Sequence, residues 1–444
     1  MKLLSDIGSF FQCAPLPDTK ICGYRIDSRA ILPGDLFFAI KGQKVDGHCF
    51  LQQVKERGGI AAVVSEDYTG TDFGLFLIRV KDVSEALQLL AKEILTQRAP
   101  RIVAVTGSVG KTTTKDFIAT LLEDRYRVGK TTGNFNSQLT LPICILNMRG
   151  DEEVLVLEMG MSQPGEIARL VAIAPPDISV VTKIGVAHIG AFIDGQDGIA
   201  REKGAIFSHD KTKWAIFDHD LTKFTQVYDA IKAKKVSFSL QEISADYVLS
   251  VGDALIDERG VRAHRFDLPF KELHILHDFL AAATVARTLG LSWEDIHRKA
   301  MHLQVPKMRF EPFEKNGILF INDAYNANPD SMRAALKAFC LLRKEGKKIA
   351  VLGSMKELGS FSQNFHEEVG RFAQQYVDTM LVYGKEAKAL ADAFGEAKKP
   401  VEHFLDKKAL AERLKSLACP GDTVLFKASR SVELEKVLAH LEIL

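Results

Sequence analysis

From residue 101 onward the chain is punctuated by short apolar runs that stop at glycines or polar clusters. "RIVAVTG" (101–107), "EVLVLEMG" (153–160), "ISVVTKIG" (178–185) and "WAIFDHD" (214–220) are continuous rather than alternating in hydrophobicity. A run that is apolar on both faces fits a strand buried between layers, as in a mainly parallel sheet covered by helices. Helical stretches lie between these runs, and "DFLAAATVARTLG" (278–290) ends on Gly290 in the manner of a helix C-cap. A turn-rich passage, "MHLQVPKMRFEPFEKNG" (301–317), then interrupts the rhythm.

The alternation restarts after about residue 312. "ILFINDA", "KIAVLG", "TMLVYG" and "DTVLFKAS" read as strands; "DSMRAALKAFCLL", "AKALADAF", "KKALAERLKSLA" and "SVELEKVLAHLEIL" read as helices between or after them. Before residue 99 the pattern is more mixed, with strand-like "DLFFAI" and "GIAAVV" and a helical "VSEALQLLAKEILTQ". Arg98-Ala99-Pro100 is the expected joint, because a residue before proline leaves helical geometry. The pattern predicts an α/β protein of three domains, residues 1–98, 99–311 and 312–444. The central domain reads as a P-loop-type, ATPase-like parallel sheet. The last reads as Rossmann-like, although no G-x-G-x-x-G opens it. Ligands are expected in the clefts between domains.

Composition narrows the function classes. At 444 residues, with 46% apolar and 26% charged residues, the chain has the make-up of an ordinary soluble protein. A net charge of +1 argues against nucleic acid as a partner. No segment approaches 18 uncharged apolar residues, so membrane insertion is not expected. The six cysteines lack C-x-x-C spacing and read as reduced core residues of a cytoplasmic protein. The working expectation is a monomer.

The sharpest local signal is "TGSVGKTTTKD" (106–116), a strand turning through glycines into a helix. Gly107, Ser108, Val109 and Gly110 can turn N–H groups inward around oxygen anions, and Lys111 adds a positive charge at the helix N-terminus. Thr112 or Thr113 can place a hydroxyl on a phosphate-bound Mg²⁺. A strict Walker A sequence has a glycine five residues before Gly110, where this chain has Val105.

Other polar groups stand at strand ends, where an open α/β sheet presents its ligands. Glu158 closes "EVLVLE" and offers the oxygen donors that Mg²⁺ prefers. His188 follows the next strand. Asn134, Asn136 and Ser137 form a polar loop able to touch a phosphate or an acyl group. In "NDAYNANPDSM", Asp323, Tyr325, Asn326 and Asn328 are more polar than a turn requires, while Asp330 or Ser331 is placed to cap the next helix. Asp278, at the expected start of its helix, is a candidate cap. Lys427, Ser429 and Arg430 suit a carboxylate. Ser28 and Arg29 can meet a diphosphate, next to a polar turn of Asp46, Gly47 and His48. Lys203, in "IAREKGAIF", reads by itself as a helix-surface charge.

Eight motifs occur in one order: "DSRAILPGDLFFAIKG" with "DGHCF", "TGSVGKTTTKD", "TTGNFNSQLTLP", "LEMGMSQPGEI", "IGVAHIGAF", "NDAYNANPDSM", "VLGSMKELG" and "FKASRSVELE". Together they resemble the Mur ligases, ATP-dependent peptide-bond formers of bacterial cell-wall synthesis, over nearly the whole chain. T-G-x-x-G-K-T-T is that family's own phosphate loop, which explains Val105. The resemblance is greatest to members that add D-alanyl-D-alanine. It implies ATP and Mg²⁺, with UDP-N-acetylmuramoyl-tripeptide and D-alanyl-D-alanine as substrates, and an acyl-phosphate intermediate.

It further implies Mg²⁺ held by Thr112 and Glu158, and a second Mg²⁺ at His188 supported by a carbamylated Lys203. Lys111, Lys203 and His188 would be the catalytic groups. Asn134, His274, Arg309, Asp323, Asn326 and Asn328 would lie along ATP. Ser28, Arg29, Asp46, Gly47 and His48 would take the uridine diphosphate end, and Lys427, Ser429 and Arg430 the dipeptide carboxylate. The chain departs from the family pattern at Ser137, Thr140, Lys183, Ala205, Ile275, Asp278, Ser354 and Ala428. Ala205 stands where a glutamate is usual near Lys203, leaving Glu202 as the nearest acid. The alternatives are another amino-acid-adding ligase of Mur or folylpolyglutamate type, or a non-catalytic nucleotide-dependent switch.

Overall fold

The computed structural model describes residues 3–342 and 345–441. Three sheets follow one another along the chain. The first is wholly parallel, in the order Tyr24–Arg25, Leu36–Phe38, Ala61–Ser65, Phe76–Val80. Helix Val83–Arg98 follows it, started by Asp82, whose carboxylate accepts from Glu85 N at 2.8 Å. Its apolar positions Val83, Ala86, Leu87, Leu90, Ala91, Ile94 and Leu95 recur at the helical period and are all buried. Ala99, at φ +47°, ends the helix in the left-handed region, and Pro100 leads into the next sheet.

The second sheet runs Val261–Arg265, Leu255–Glu258, Tyr247–Ser250, Lys234–Ser239, Trp214–Asp218, Ile178–Val181, Arg101–Thr106, Val154–Glu158, Val128–Lys130. Strand Arg101–Thr106 is the pivot of its topology. The chain leaves that strand for the Val128–Lys130 edge, returns through Val154–Glu158, then crosses to Ile178–Val181 on the other flank. The loop after Thr106 therefore lies at the reversal of strand order, outside the carboxyl ends of the strands, where open α/β sheets bind ligands. At the far edge, Tyr247–Ser250, Leu255–Glu258 and Val261–Arg265 form an antiparallel meander that the apolar pattern did not reveal. It is tied to the helices by Glu258, which accepts from Tyr247 Oη (2.7 Å), Arg287 Nη2 (2.9 Å) and Trp293 Nε1 (2.8 Å).

The third sheet is ordered Glu311–Lys315, Ile318–Asn322, Thr423–Lys427, Lys348–Gly353, Thr379–Tyr383, Val401–Phe404, and is antiparallel only at its first pair. Strands Ile318–Asn322, Thr423–Lys427 and Lys348–Gly353 are neighbours. The segments after them, carrying Asp323–Asn328, Ala428–Arg430 and Ser354–Glu357, thus leave one edge of the sheet side by side.

Four expectations change. The turn-rich passage 301–317 contains the edge strand Glu311–Lys315, whose alternation is masked by Pro312 and three charged residues. Helix Leu273–Thr288 begins a full turn before Asp278, so Asp278 is a buried mid-helix residue and not a cap; the cap position is Glu272, without a side-chain bond. Beyond Arg430 the long helix expected at 431–444 is reduced to a turn at Arg430–Val432 and helix Glu435–His440, broken by Glu433 at φ +51°; residues 442–444 lie outside the described residues. Only Cys144 is a buried cysteine, whereas Cys22, Cys49 and Cys419 are exposed. Among the described residues no helix is long and apolar enough to cross a membrane.

Candidate active site

The phosphate loop takes its shape from two glycines. A Cβ on Gly107 (φ +156°) would lie 1.9 Å from Thr182 Oγ1, and one on Gly110 (φ +83°) would lie 2.1 Å from Asp278 Oδ1. Neither position tolerates a side chain. Thr182 Oγ1 donates to Val109 O at 2.5 Å, and Ser108 N donates to Lys183 O at 2.8 Å, which fixes the loop against the neighbouring strand end. Lys111 opens helix Lys111–Leu122, and its Nζ donates to Gly107 O at 2.8 Å, folded back over the loop.

Beside the loop, Thr112 Oγ1 donates to Glu158 Oε2 at 2.8 Å, and Asn136 Nδ2 donates to Glu158 Oε1 at 2.7 Å. Arg309, from the segment joining the second and third sheets, donates through Nη2 to Thr112 Oγ1 at 2.8 Å and stacks over the Tyr325 ring at 4.3 Å. Of the two candidate threonines, Thr112 is the one on the carboxylate. Lys115 completes the floor, its Nζ donating to Thr131 O (2.8 Å) and Gly133 O (2.9 Å) and lying 4.0 Å from Glu158 Oε2.

Opposite stand the strand ends of the third sheet. Lys427 Nζ lies 2.7 Å from Asp323 Oδ2 and donates to Asn326 O at 3.0 Å. Ser429 Oγ donates to Ala327 O at 3.1 Å and accepts from Lys356 N at 2.9 Å. Arg430 is exposed and pairs with Glu435 at 2.7 Å. Asn328, not Asp330 or Ser331, caps helix Pro329–Leu341: its Oδ1 accepts from Ser331 N, and Ser331 Oγ accepts from Asn328 N. Its Nδ2 also reaches Ser108 O at 3.4 Å, so this cap touches the phosphate loop.

The Thr112–Glu158 pair with Asn136, Arg309 with Tyr325, and Asp323, Lys427, Ser429 and Arg430 face one cleft of ≈ 1480 Å³ between the second and third sheets. Of the residues singled out in the sequence, Ser108–Thr113, Asn134, Asn136, Ser137, Glu158, Lys183, His188, His274, Ile275, Asp278, Arg309, Asp323, Tyr325, Asn326, Asn328, Asp330, Ser331, Lys427, Ser429 and Arg430 line it. Gly107 and Lys203 lie behind its wall. Ser28, Arg29, Asp46, Gly47 and His48 form a separate cluster on the first domain. There Ser28 Oγ donates to Gln53 Oε1 (2.6 Å), Arg29 pairs with Asp27 (2.8 Å), and His48 Nδ1 meets Asp46 Oδ1 at 2.6 Å while its Nε2 accepts from Ser65 N.

Lys203 is not a surface charge; it is 1% exposed. Its helix turns it inward, where Nζ makes no hydrogen bond or ion pair with a described residue. Burial, and then the charge of Lys111, push its pKa well below the ordinary lysine range. Glu202 faces elsewhere, accepting from Gly165 N (2.7 Å) and Ile167 N (2.8 Å) at the start of helix Glu166–Ile173. His188 stands at φ +64°, with Nδ1 2.8 Å from Glu357 Oε2 though not aligned for a linear hydrogen bond. That contact holds the Glu357 carboxyl below its usual range. Burial lowers the pKa of Lys111 and of His274.

Several cleft residues escaped the sequence reading. Glu357 was within a recognised motif, but nothing local marked it as the partner of His188. Asp218, ending strand Trp214–Asp218, pairs closely with His277 Nε2. Burial alone would lower His277, but the Asp218 charge outweighs it and raises the imidazole from 6.5 to about 9. Asp278, one residue on, is buried against Gly110 and has its pKa raised by that burial. The signal available was the strand-end "FDHD", which only gains meaning once the helix carrying His277 is packed on it.

Mg²⁺ commonly takes one or two carboxylates and completes its shell with phosphate oxygens and water. Glu158 and the Thr112 hydroxyl, beside a phosphate loop, fit that donor set. No group of three or more His, Cys, Asp or Glu side chains placed to hold a metal occurs among the described residues, so a metal here would depend on its nucleotide for further oxygens.

A parallel-sheet domain with a phosphate loop at its switch point, closed by a second α/β domain with cations at its strand ends, defines a three-domain nucleotide-dependent α/β enzyme. Profiles of the Mur ligase family, catalytic domain, of the Mur ligase middle domain and of the Mur ligase, glutamate ligase domain match residues 20–95, 105–286 and 308–430. The chain belongs to the Mur ligase family. It is 36% identical to the UDP-N-acetylmuramoyl-tripeptide–D-alanyl-D-alanine ligase of Bacillus subtilis over 95% of this chain and 93% of that protein. Among solved structures it superposes on MurF of Acinetobacter baumannii (TM-score 0.87, 29% identity, 99% of both chains). It also matches MurF ligase of Thermotoga maritima in complex with ADP (TM-score 0.82, 32% identity, 96% of this chain and 98% of that one).

Proposed function

We infer that the chain catalyses ATP-dependent ligation of D-alanyl-D-alanine to UDP-N-acetylmuramoyl-tripeptide, forming the pentapeptide precursor of peptidoglycan. The observation that carries this reading is a single cleft with a phosphate loop and the Thr112–Glu158 pair on one wall and Lys427, Ser429 and Arg430 on the other. The likeness, over 95% of the chain or more, to UDP-N-acetylmuramoyl-tripeptide–D-alanyl-D-alanine ligases supplies the substrates.

In the first half-reaction an oxygen of the peptide carboxylate attacks the γ-phosphorus of ATP. The bond to the β–γ bridging oxygen breaks, leaving an acyl phosphate and ADP. In the second, the amine of D-alanyl-D-alanine attacks the acyl carbon, phosphate leaves, and the nitrogen loses a proton. Negative charge collects on phosphate oxygens in both halves. Loop N–H groups and the Lys111 ammonium are fixed beforehand to meet it, which is the cheapest way to lower such a barrier. Bound Mg²⁺ would neutralise phosphate charge, with Thr112 and Glu158 holding one ion and His188 a second. Residues Asn134, His274, Arg309, Asp323, Asn326 and Asn328 are assigned to the nucleotide. The cluster from Ser28 to His48 is assigned to the diphosphate of the sugar nucleotide, and Lys427, Ser429 and Arg430 to the dipeptide carboxylate.

Lys203 is assigned as a carbamate. Its buried amine, depressed by burial and by Lys111, holds a free lone pair for part of the time, which attack on CO₂ requires. The ammonium first gives up one proton; the nitrogen–carbon bond then forms as a C=O π bond opens onto oxygen, the nitrogen loses a second proton, and a buried cation becomes an anion.

The deciding experiment supplies purified protein with ATP, Mg²⁺, the UDP-tripeptide and D-alanyl-D-alanine. Phosphate and pentapeptide should appear in equal amounts. Phosphate release that is unchanged when both substrates are omitted contradicts the reading. Replacing the dipeptide by single amino acids tests the other amino-acid-adding ligases.

A further inference from the structure

The loop between Lys183 and Phe192 is held from two sides. On one side the phosphate loop grips it: Gly185 N donates to Ser108 Oγ at 2.9 Å. On the other side the third domain grips it. Asp330, in the first turn of helix Pro329–Leu341, accepts from Val186 N through Oδ2 at 2.9 Å. Gly190 N donates to Glu357 O at 3.3 Å. Two glycines allow this approach. A Cβ on Gly190 would lie 2.5 Å from Gly359 N and 2.8 Å from Gly359 Cα, and one on Gly185 would lie 2.2 Å from Asp330 Oδ2. Between these pins sits His188 at φ +64°, a conformation that a non-glycine residue holds only where its surroundings impose it.

We propose that Asp330, Gly190 and Gly359 are positioning residues, through which the third domain sets the 183–192 loop, and with it His188 and Ser108, in the geometry that phosphoryl transfer needs. The inference rests on the ligase reading above for the identity of the reaction. The seam itself is independent of that reading. It is a backbone-to-backbone contact with no room for a side chain, so it acts as a register mark and not as a general sticky surface. Asp330 also pairs with Arg333 at 3.1 Å, which orients its carboxylate without engaging Oδ2.

The test uses the full chain and two kinds of variant. Gly190 is exposed at the seam and does not have positive φ, so Gly190→Ala adds a methyl group that strains the seam and not its own backbone. Expected are an unchanged melting temperature, a larger radius of gyration in X-ray scattering with ADP present, and a fall in kcat for ligation of about 10²-fold, the loss typical of small misplacement. The second pair is Asp330→Ala and Asp330→Asn. The alanine variant loses the acceptor for Val186 N and should lose kcat with little change in KM for D-alanyl-D-alanine. The asparagine variant keeps an acceptor oxygen and should recover most of kcat. Parental kcat and radius of gyration in G190A, or equal loss in D330A and D330N, overturns the proposal while leaving the ligase reading intact. A parent that compacts with ADP, and a G190A that does not, in a protein with no ligation of the dipeptide, retains the seam and overturns the ligase reading.

Discussion

Thr112 Oγ1 and Glu158 Oε2 meet at 2.8 Å, joining the first turn of the phosphate-loop helix to the end of the adjacent strand, and both residues are buried. A hydroxyl donating to a carboxylate keeps both oxygens in place beside the loop. The Mg²⁺ site proposed above draws on this fixed pair, with phosphate oxygens to complete the shell.

Thr112→Ala is expected to weaken Mg²⁺-dependent nucleotide binding by about 10–100-fold, the usual effect of a lost ligand-orienting contact. Thr113→Ala should do less, since Thr113 does not touch Glu158. Titration of Mg²⁺ against ADP affinity for both variants measures the difference. Equal effects would remove Thr112 from its assigned role.

Lys111→Ala should lower kcat by about 10²–10³-fold with the fold intact, since it deletes one fixed positive group from the phosphate cradle. Circular dichroism and single-turnover acyl-phosphate formation check the two halves of that statement. Near-parental turnover would take Lys111 out of the chemistry.

Lys203→Ala should lose ligation and recover part of it when a short carboxylic acid is added to stand in for the missing anion. The parent should lose activity in rigorously CO₂-free buffer. Full parental activity of K203A in CO₂-replete buffer, or a parent whose activity is unchanged without CO₂, would show that the buried lysine serves packing alone.

The Asp218–His277 pair predicts a pH window for stability. The folded-state pKa of His277 lies near 9 against 6.5 unfolded. Its contribution is therefore complete below pH 6.5 and fades as pH rises through about 9. Asp218 is depressed below 3.8, despite its burial, by the charge of His277. Its contribution is present above that value and is lost as pH falls through the lowered pKa. Asp218→Ala should destabilise by about 3–5 kcal/mol near neutrality, the cost of stranding a buried charge. The parent–variant difference in melting temperature should shrink towards pH 9. A constant difference across that range would contradict the pairing.

Asn328→Ala removes the cap of helix Pro329–Leu341, expected to cost about 1 kcal/mol. Because Asn328 Nδ2 also reaches Ser108 O, nucleotide affinity should fall as well. Asn328→Ser retains a cap oxygen but cannot reach the loop, so it should restore stability without restoring affinity.

The sequence by itself determined the strands Arg101–Thr106, Val154–Glu158, Ile178–Val181, Trp214–Asp218, Ile318–Asn322, Lys348–Gly353, Thr379–Tyr383 and Thr423–Lys427, because a strand buried on both faces must be apolar throughout and so is visible without any partner. The short edge strands Val128–Lys130 and Val401–Phe404, and Lys234–Ser239, were not visible in that way. The sequence also determined the glycine turn between strand Arg101–Thr106 and helix Lys111–Leu122, since Gly107 and Gly110 carry their geometry locally. It did not reveal the meander Tyr247–Arg265 or the edge strand Glu311–Lys315, where polar and charged residues break up the apolar run although each strand pairs with a near neighbour in sequence. Tertiary structure alone decided that Lys203 is buried and that Asp278 lies against Gly110 instead of capping a helix. It likewise decided that Arg309 bridges two domains to Thr112 and that His188 answers to Glu357. Each of those facts depends on which face of a helix or which side of a cleft a side chain meets. Local propensity carries no record of that; it is fixed when separate sheets pack and the low-dielectric space between them shifts the charges it encloses.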